Sequence, residues 1–477
     1  MRRFVLAALL FAGNVDAQGG AWDAGPWLGD LVAMRSAFAA KYANLDWLRE
    51  EREVDLDRRF EAVEQALAEA GDDAEARRVL DRFVARIGDG HVALTWPTPG
   101  DSSSGPVFPK TFATAVELCA GLVYRGGWKP GTAAALPGFV KLADPGAFAA
   151  GTVRVGTETV GVVRIPAFMP EAFPGACAVA VTAVPGILGK PCREQCADTV
   201  LTETYRALTR EVEASYARLR AAGATVLLVD VTDNGGGTEW AVAIARTLSA
   251  KPLRSTRAGF MRGAHWTRHW GDLATRLRGF ATKERGTDRR RLLGWAAEAE
   301  AARREADKVP GPAVTRVARA GYATGLVGEA PAGSFGDKEW AVHVFSPAQY
   351  PYRDGAWDGP VVVLTDQETW SAAEQFAAIL QDNRAAIILG ARTGGSGCGH
   401  TWGGTPTRLT NSGATLNVPD CVRFRADGSN EVRGIIPDQL IPWRANDGRA
   451  FRARLLEAAL PEAARRAQAL YQARAAH

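Results

Sequence analysis

The sequence predicts an α/β chain of the α+β kind, in which a sheet-and-helix core follows a helical domain and carries a helical insertion. Three observations predict this. Residues 225–231, 361–364 and 386–389 are short runs of β-branched residues, leucine and alanine, broken only by Asp230 near the end of the first and without polar alternation, as strands buried on both faces read. Each run adjoins a segment with apolar residues at helical spacing, such as Ala373, Phe376, Ala377 and Leu380. Residues 22–88 keep helical spacing throughout, and a polar stretch rich in arginine and tryptophan, 255–345, separates two of the core strands.

The chain opens with Arg2 and Arg3, an apolar run from Phe4 to Ala12, and the small-x-small triplet Val15-Asp16-Ala17. That run is too short to span a bilayer, which takes about 20 residues. Residues 1–17 therefore read as a leader cleaved near Ala17, with export to a periplasmic or extracellular space and no stable membrane anchor. Cleavage would remove two positive charges and one negative charge, taking the formal net charge from +4 to +3. No basic run stands out as a nucleic-acid footprint; the short cluster Arg289–Arg291 sits beside Asp288, Glu298 and Glu300. A chain of 477 residues with 47% hydrophobic residues has ample material for a large core.

Residues 18–94 form the expected helical domain, with Leu31, Met34, Phe38 and Tyr42 on one face and Phe60, Val63, Leu67, Val79, Leu80 and Phe83 on others. Gly71-Asp72-Asp73 breaks and recaps it. The domain ends in a glycine turn, Asp89-Gly90-His91, running into a short strand. Residues 95–254 form the first part of the core. They include a β-rich connection, a strand at 159–165, a helix at about 198–222, the strand 225–231 and the glycine turn Gly235-Gly236-Gly237 leading into a helix. A strand, a glycine turn and a helix make an anion-binding device, either for phosphate or for an oxyanion. The spacing of a dinucleotide or P-loop fingerprint is absent, so no cofactor is implied.

Residues 255–345 read as an insertion or lid, with a helical pattern around 291–308. Residues 346–445 form the second part of the core, including a hairpin near 405–409 and 414–418, and residues 446–477 a closing helix. Six cysteines in an exported chain suggest disulfides, with Cys398–Cys421 and Cys177 to Cys192 or Cys196 expected from proximity. Cys192 and Cys196 have no histidine near them in sequence, so no metal site is expected.

Ser371 stands where loop becomes helix, a position that suits an N-cap and equally a nucleophile, because the free N–H groups and dipole of the first turn favour an oxyanion. Its surroundings favour the nucleophile. Residues 228–237, LVDVTDNGGG, resemble the Asp-(Leu/Val)-Arg-x-Asn-x-Gly-Gly signature of the tail-specific, or C-terminal-processing, serine peptidases, with Thr232 at the arginine position. Ser371-Ala372-Ala373-Glu374 is similar to that family's nucleophile segment. Residues 390–395 match its Gly-x-x-Thr-x-Gly loop, and Asp438 in GIIPD matches its usual ending.

The resemblance covers roughly 159–250 and 358–442 and implies a crotonase/ClpP-like core acting on a polypeptide or peptide substrate. Ser396 occupies the place of the lysine of the Ser-Lys branch, and no lysine follows Lys338. The chain instead resembles the histidine-dependent, tricorn-like branch, which implies His91 as general base and Glu431 as the group stabilising its imidazolium. That branch has a relay serine before the histidine where this chain has Gly90, and His400 is a rival base. The expected oxyanion donors are the N–H groups of Ala372 and of Gly236, with Gly237 as the alternative. A non-catalytic lipid- or peptide-binding module of the same fold and an esterase are the competing readings; the Gly-x-Ser-x-Gly elbow of the usual esterases is absent.

Overall fold

The computed structural model describes residues 22–97, 110–144, 146–400, 404 and 406–476. The expected leader, 1–17, lies outside them. Among the described residues, no helix is long and apolar enough to cross a membrane.

The apolar runs form the middle of a seven-stranded sheet. Its strands are β1 (Val140–Lys141), β2 (Ala150–Val155), β3 (Glu158–Arg164), β4 (Val226–Asp230), β5 (Val361–Thr365), β6 (Ile387–Gly390) and β7 (Gln439–Leu440). They lie side by side in chain order. β1 to β3 form an antiparallel meander, and β3 to β7 run parallel. The absence of alternation in β4 and β5 has a direct cause. Val361 and Val363 pack into a helical layer on one face, while Val362 and Leu364 face a second layer on the other.

The helices in chain order explain those layers. α1 (Gly25–Lys41), α2 (Leu56–Ala68) and α3 (Asp73–Ala85) form the N-terminal bundle around Met34, Phe38, Phe60 and Leu80. Asp72 caps α3 by accepting the Glu75 N–H at 2.7 Å. α4 (Glu194–Ala221), α5 (Trp240–Arg246) and α8 (Ala372–Asp382) cover one face of the sheet, and α9 (Arg449–Ala475) covers the other through Leu456, Leu460 and Ala463. Between α5 and β5 lie α6 (Ala264–Lys283) and α7 (Gly286–Ala306), a hairpin with its own core around Trp266, Trp270, Leu277 and Leu292. Its base is a ribbon of Arg257–Met261 and Val317–Tyr322, which pairs with Cys421–Phe424.

One long-range pairing matters for the site. Ala93–Thr95 joins Thr415–Asn417 as an antiparallel strand, and the second hairpin strand, Thr407–Arg408, flanks it. Leu409, Leu416 and Val432 then pack into the core of the helical bundle. The turn at Asp89–His91 is thereby carried against the glycine loop that follows β6.

The disulfides correct one expectation. Cys398–Cys421 forms as expected, but Cys177 pairs with Cys119, and Cys192 pairs with Cys196. The helix Ala115–Gly121 packs on the helix Pro174–Ala183 and brings Cys119 to Cys177 with 6.0 Å between Cα atoms. The turn into α4 closes Cys192 on Cys196 at 5.2 Å. Proximity in sequence could not foresee a helix docking across 58 residues.

Candidate active site

β4 and β5 end next to each other, and the turns that leave them are stitched together. Trp370 donates its N–H to the Asn234 carbonyl at 2.9 Å, and the Thr369 hydroxyl bonds the Val231 carbonyl at 3.0 Å. Asp366 accepts the Asp233 N–H at 2.9 Å and pairs with Arg452 at 2.8 Å. The buried Asn234 side chain donates to the Ile165 carbonyl and accepts the Gly236 N–H, each within 2.9 Å. Glycine is required at position 236: φ is +95°, and a Cβ there would stand 2.7 Å from the Ala372 nitrogen and 2.8 Å from Ser371 Cβ.

Ser371 is the residue just before α8 and has φ +55° and ψ −115°. A non-glycine residue there carries roughly 1–3 kcal/mol of strain, the kind that clusters at functional sites. Glu374, fully buried one turn on, holds the strained backbone by accepting the Ser371 N–H at 3.0 Å. The same carboxylate accepts the Thr393 hydroxyl and the N–H groups of Gly395 and Ser396, so the Ser371 turn and the glycine loop share one anchor. Burial pushes the Glu374 carboxyl up, aided by the nearby Glu431, and these donors oppose the rise.

The Ser371 hydroxyl meets His91. Nε2 of the ring lies 3.0 Å from Oγ, and Nδ1 lies 2.8 Å from the Ser396 carbonyl oxygen. A carbonyl can only accept, so Nδ1 carries the proton and Nε2 is free to take one from the serine. Burial lowers the His91 pKa to about 4, and the Arg423 and His400 charges add to the effect against the Ser396 hydrogen bond. His400 stands edge-on to His91 with ring centroids 6.3 Å apart, and burial lowers its pKa as well.

Glu431 lies elsewhere than the expected relay demands. Both ring nitrogens of His91 are taken by Ser371 and Ser396, so Glu431 makes no direct hydrogen bond to the imidazole. Its Oε1 instead pairs with Arg423 at 2.5 Å, and its buried Oε2 has no partner among the described residues. The group that orients the His91 ring is the backbone carbonyl of Ser396, the residue at the position of the absent lysine. Gly90 has a steric reason. A Cβ there would stand 2.2 Å from Cζ3 of Trp370 and 2.5 Å from Ser396 Oγ, because the indole fills the space a relay serine would need.

Of the expected oxyanion donors, Gly236 has its N–H committed to Asn234 at 2.8 Å. Gly237 is bridged to Phe168 through its neighbours: Phe168 donates to the Gly236 carbonyl and accepts the Thr238 N–H. In that parallel pairing the Gly237 N–H points away from Phe168. Ala372 opens α8, where an N–H has no intrahelical partner. The sequence reading missed Glu374 and Arg423 as parts of the site. Glu374 stood in the quoted motif, and Arg423 was detectable only as a charge inside the short strand-like run Cys421–Phe424. A cavity of about 970 Å³ lies away from this site, on the β2–β3 side of the sheet near Arg164 and Phe173; neither Ser371 nor His91 lines it.

Comparisons with known proteins bear on the fold and the family. The chain superposes on the structure of mature CPAF complexed with lactacystin with a TM-score of 0.59 and 15% identity, over 92% of this chain and 98% of that one. A crystal structure of mature CPAF gives 0.58 at 15% identity over 92% and 97% of the two chains. At that identity the likeness speaks for the fold alone. An uncharacterized protein of Chlamydia muridarum (strain MoPn / Nigg) is 34% identical over 99 residues, which is 20% of this chain and only 16% of that relative. Peptidase family S41 matches residues 159–441, more than half of the sequence and the whole span from β3 to β7. The chain therefore belongs to peptidase family S41, a family of serine-type peptidases.

Proposed function

We propose that this protein is an exported serine peptidase that hydrolyses peptide bonds through an acyl-enzyme on Ser371. The observation that carries the reading is the contact between His91 Nε2 and Ser371 Oγ at 3.0 Å, with the other ring nitrogen held by the Ser396 carbonyl. That pairing supplies what acyl transfer needs: a nucleophile, a neutral base in the correct tautomer, and a group that fixes the ring. His91 removes the proton as Ser371 attacks the scissile carbonyl, then returns it to the departing amine. Ala372 N–H at the start of α8 and Gly237 N–H in the glycine turn are the favoured oxyanion donors, with Gly236 third because Asn234 holds its N–H. Glu431 stabilises the imidazolium at a distance, through the pair it forms with Arg423.

Export is supported by the apolar leader-like run 4–12 and by three disulfides, which persist in oxidising compartments. The test is hydrolysis of an unfolded-protein substrate by Ser371→Ala, His91→Ala and His400→Ala. Loss of a nucleophile or its base typically costs about 10³-fold or more in kcat. The reading expects that loss for Ser371→Ala and His91→Ala, with His400→Ala within about tenfold of wild type. Equal loss in His400→Ala and none in His91→Ala would reassign the base. A wild type without turnover would favour a binding module.

A further inference from the structure

We propose that Arg423 is the positioning residue of this site, holding the nucleophile turn and the base-orienting loop in register, and that Glu431 acts through it. The inference rests on the peptidase reading above and assigns a role to a residue outside the serine–histidine pair.

Arg423 stands in the strand Cys421–Phe424, between buried Val422 and the aromatic Phe424, and is itself 8% exposed. A guanidinium is retained in such a place only with its donors satisfied. Here Nη2 donates to the carbonyl of Ser371 at 3.1 Å and to the carbonyl of Gly397 at 2.7 Å. Nε and Nη2 both reach Glu431 Oε1, at 2.9 and 2.5 Å, and Nη1 reaches Gln375 Oε1 at 3.3 Å. One side chain thus ties together four segments: the strained serine, α8, the glycine loop and the turn that carries Glu431.

Two of those contacts adjoin the catalytic ones. The Ser371 carbonyl belongs to the residue whose hydroxyl faces His91, and the Gly397 carbonyl is one residue beyond the Ser396 carbonyl that orients the ring. The Cys398–Cys421 disulfide fastens the same loop to the same strand, two residues before Arg423. A lysine can carry the charge but not the planar fork that spans Glu431 and two carbonyls at once. The Arg423 charge also opposes protonation of the imidazole. His400 is the other basic group around His91; the acids of this region are Asp89 at the turn before it, Glu374 beneath the glycine loop and Glu431 on Arg423.

The experiment compares full-length wild type with Arg423→Lys, Arg423→Gln and the double variant Arg423→Gln/Glu431→Gln, which leaves no buried unpaired carboxylate at the pair if the single glutamine variant misfolds. Each is followed by kcat and KM on an unfolded-protein substrate across pH 3.5–8, by fluorophosphonate labelling rate and by thermal melting. The expected result for folded Arg423→Lys is kcat at least about tenfold lower, KM within about twofold, and an acidic limb of kcat/KM at the wild-type pH. With the cation removed and Glu431 kept, folded Arg423→Gln shows the acidic limb displaced to higher pH, a readout that a purely structural role would leave in place. The double variant, which removes both charges, shows kcat at least about tenfold lower. A folded Arg423→Lys or double variant with wild-type kcat, or a folded Arg423→Gln whose acidic limb does not move, overturns the proposal while active wild type leaves the peptidase reading standing. Wild type that neither turns over nor labels overturns the peptidase reading itself and this proposal with it.

Discussion

Replacing Gly90 with serine would restore in sequence the relay residue that the tricorn-like pattern calls for, and the geometry predicts that it damages the enzyme. A Cβ at position 90 stands 2.2 and 2.4 Å from Cζ3 and Cε3 of Trp370 and 2.5 Å from Ser396 Oγ. Trp370 has little freedom to yield. Its Nε1–H is bonded to the Gln367 carbonyl at 2.7 Å, and Gly394 lies against its other side so closely that a Cβ there would stand 2.6 Å from the ring. Forcing extra atoms into such a contact costs about 1–3 kcal/mol. The turn that must shift is the one bearing His91, and a displacement of about 1 Å in a reacting group can cost about 10²-fold in rate. Chemical denaturation and kcat of Gly90→Ser should therefore both fall by those amounts. Gly90→Ser should also be better tolerated in a Trp370→Ala background than in wild type, a coupling that a double-mutant cycle measures. A Gly90→Ser enzyme with unchanged stability and higher kcat would refute the reasoning and return the relay to the mechanism.

Other predictions follow from single contacts. If His91 is the neutral base, its burial, which lowers its pKa to about 4, means that kcat/KM should hold as pH falls below 6.5 and drop only as it passes about 4; a limb near 6.5 would mean the ring is solvated. Gly236→Ala places a Cβ 2.7 Å from the Ala372 nitrogen at φ +95°, so kcat should fall about 10²–10³-fold with a smaller change in KM, as measured by steady-state kinetics. Removing the Cys398–Cys421 bridge with serine at both positions should cost about 3 kcal/mol in denaturant unfolding and lower kcat, since the bridge fastens the loop that orients His91. The same change at Cys192 and Cys196, a bridge over four residues and not in the site, should leave kcat as in wild type.

The order and type of the core elements were legible because their physical causes are local. β4 and β5 read as strands because both faces are buried, and the step from β5 through Ser371 into α8 shows in the switch from an unbroken apolar run to helical spacing. The insertion was half legible: α7 overlaps the pattern read around 291–308, whereas α6 keeps Trp266, Trp270, Ala274, Leu277 and Ala281 at helical spacing beneath a face of arginines that hid them. Its ribbon strand Arg257–Met261 gains its second partner, Cys421–Phe424, only across about 160 residues of sequence. The site divides in the same way. Ser371 carries a local signal in the loop-to-helix step and the glutamate three residues on. His91 reaches it through the pairing of Ala93–Thr95 with Thr415–Asn417, which no local pattern announces, and only the family resemblance pointed to it. Glu431 was placed by motif spacing alone, and spacing says nothing about Arg423, which occupies its carboxylate, or about the Ser396 carbonyl, which takes the orienting place on the ring. Backbone groups have no signature in sequence.

Ser371 stands before α8 with its hydroxyl on His91, and chemical reactivity separates a nucleophile there from a helix cap. The most direct measurement is labelling of the full-length protein with a fluorophosphonate probe, followed by mass spectrometry of the digested adduct. A nucleophilic Ser371 gives a single stoichiometric adduct on its own peptide, lost in Ser371→Ala and strongly slowed in His91→Ala. Absence of labelling in folded wild type, or an adduct on another serine that persists in Ser371→Ala, would contradict it.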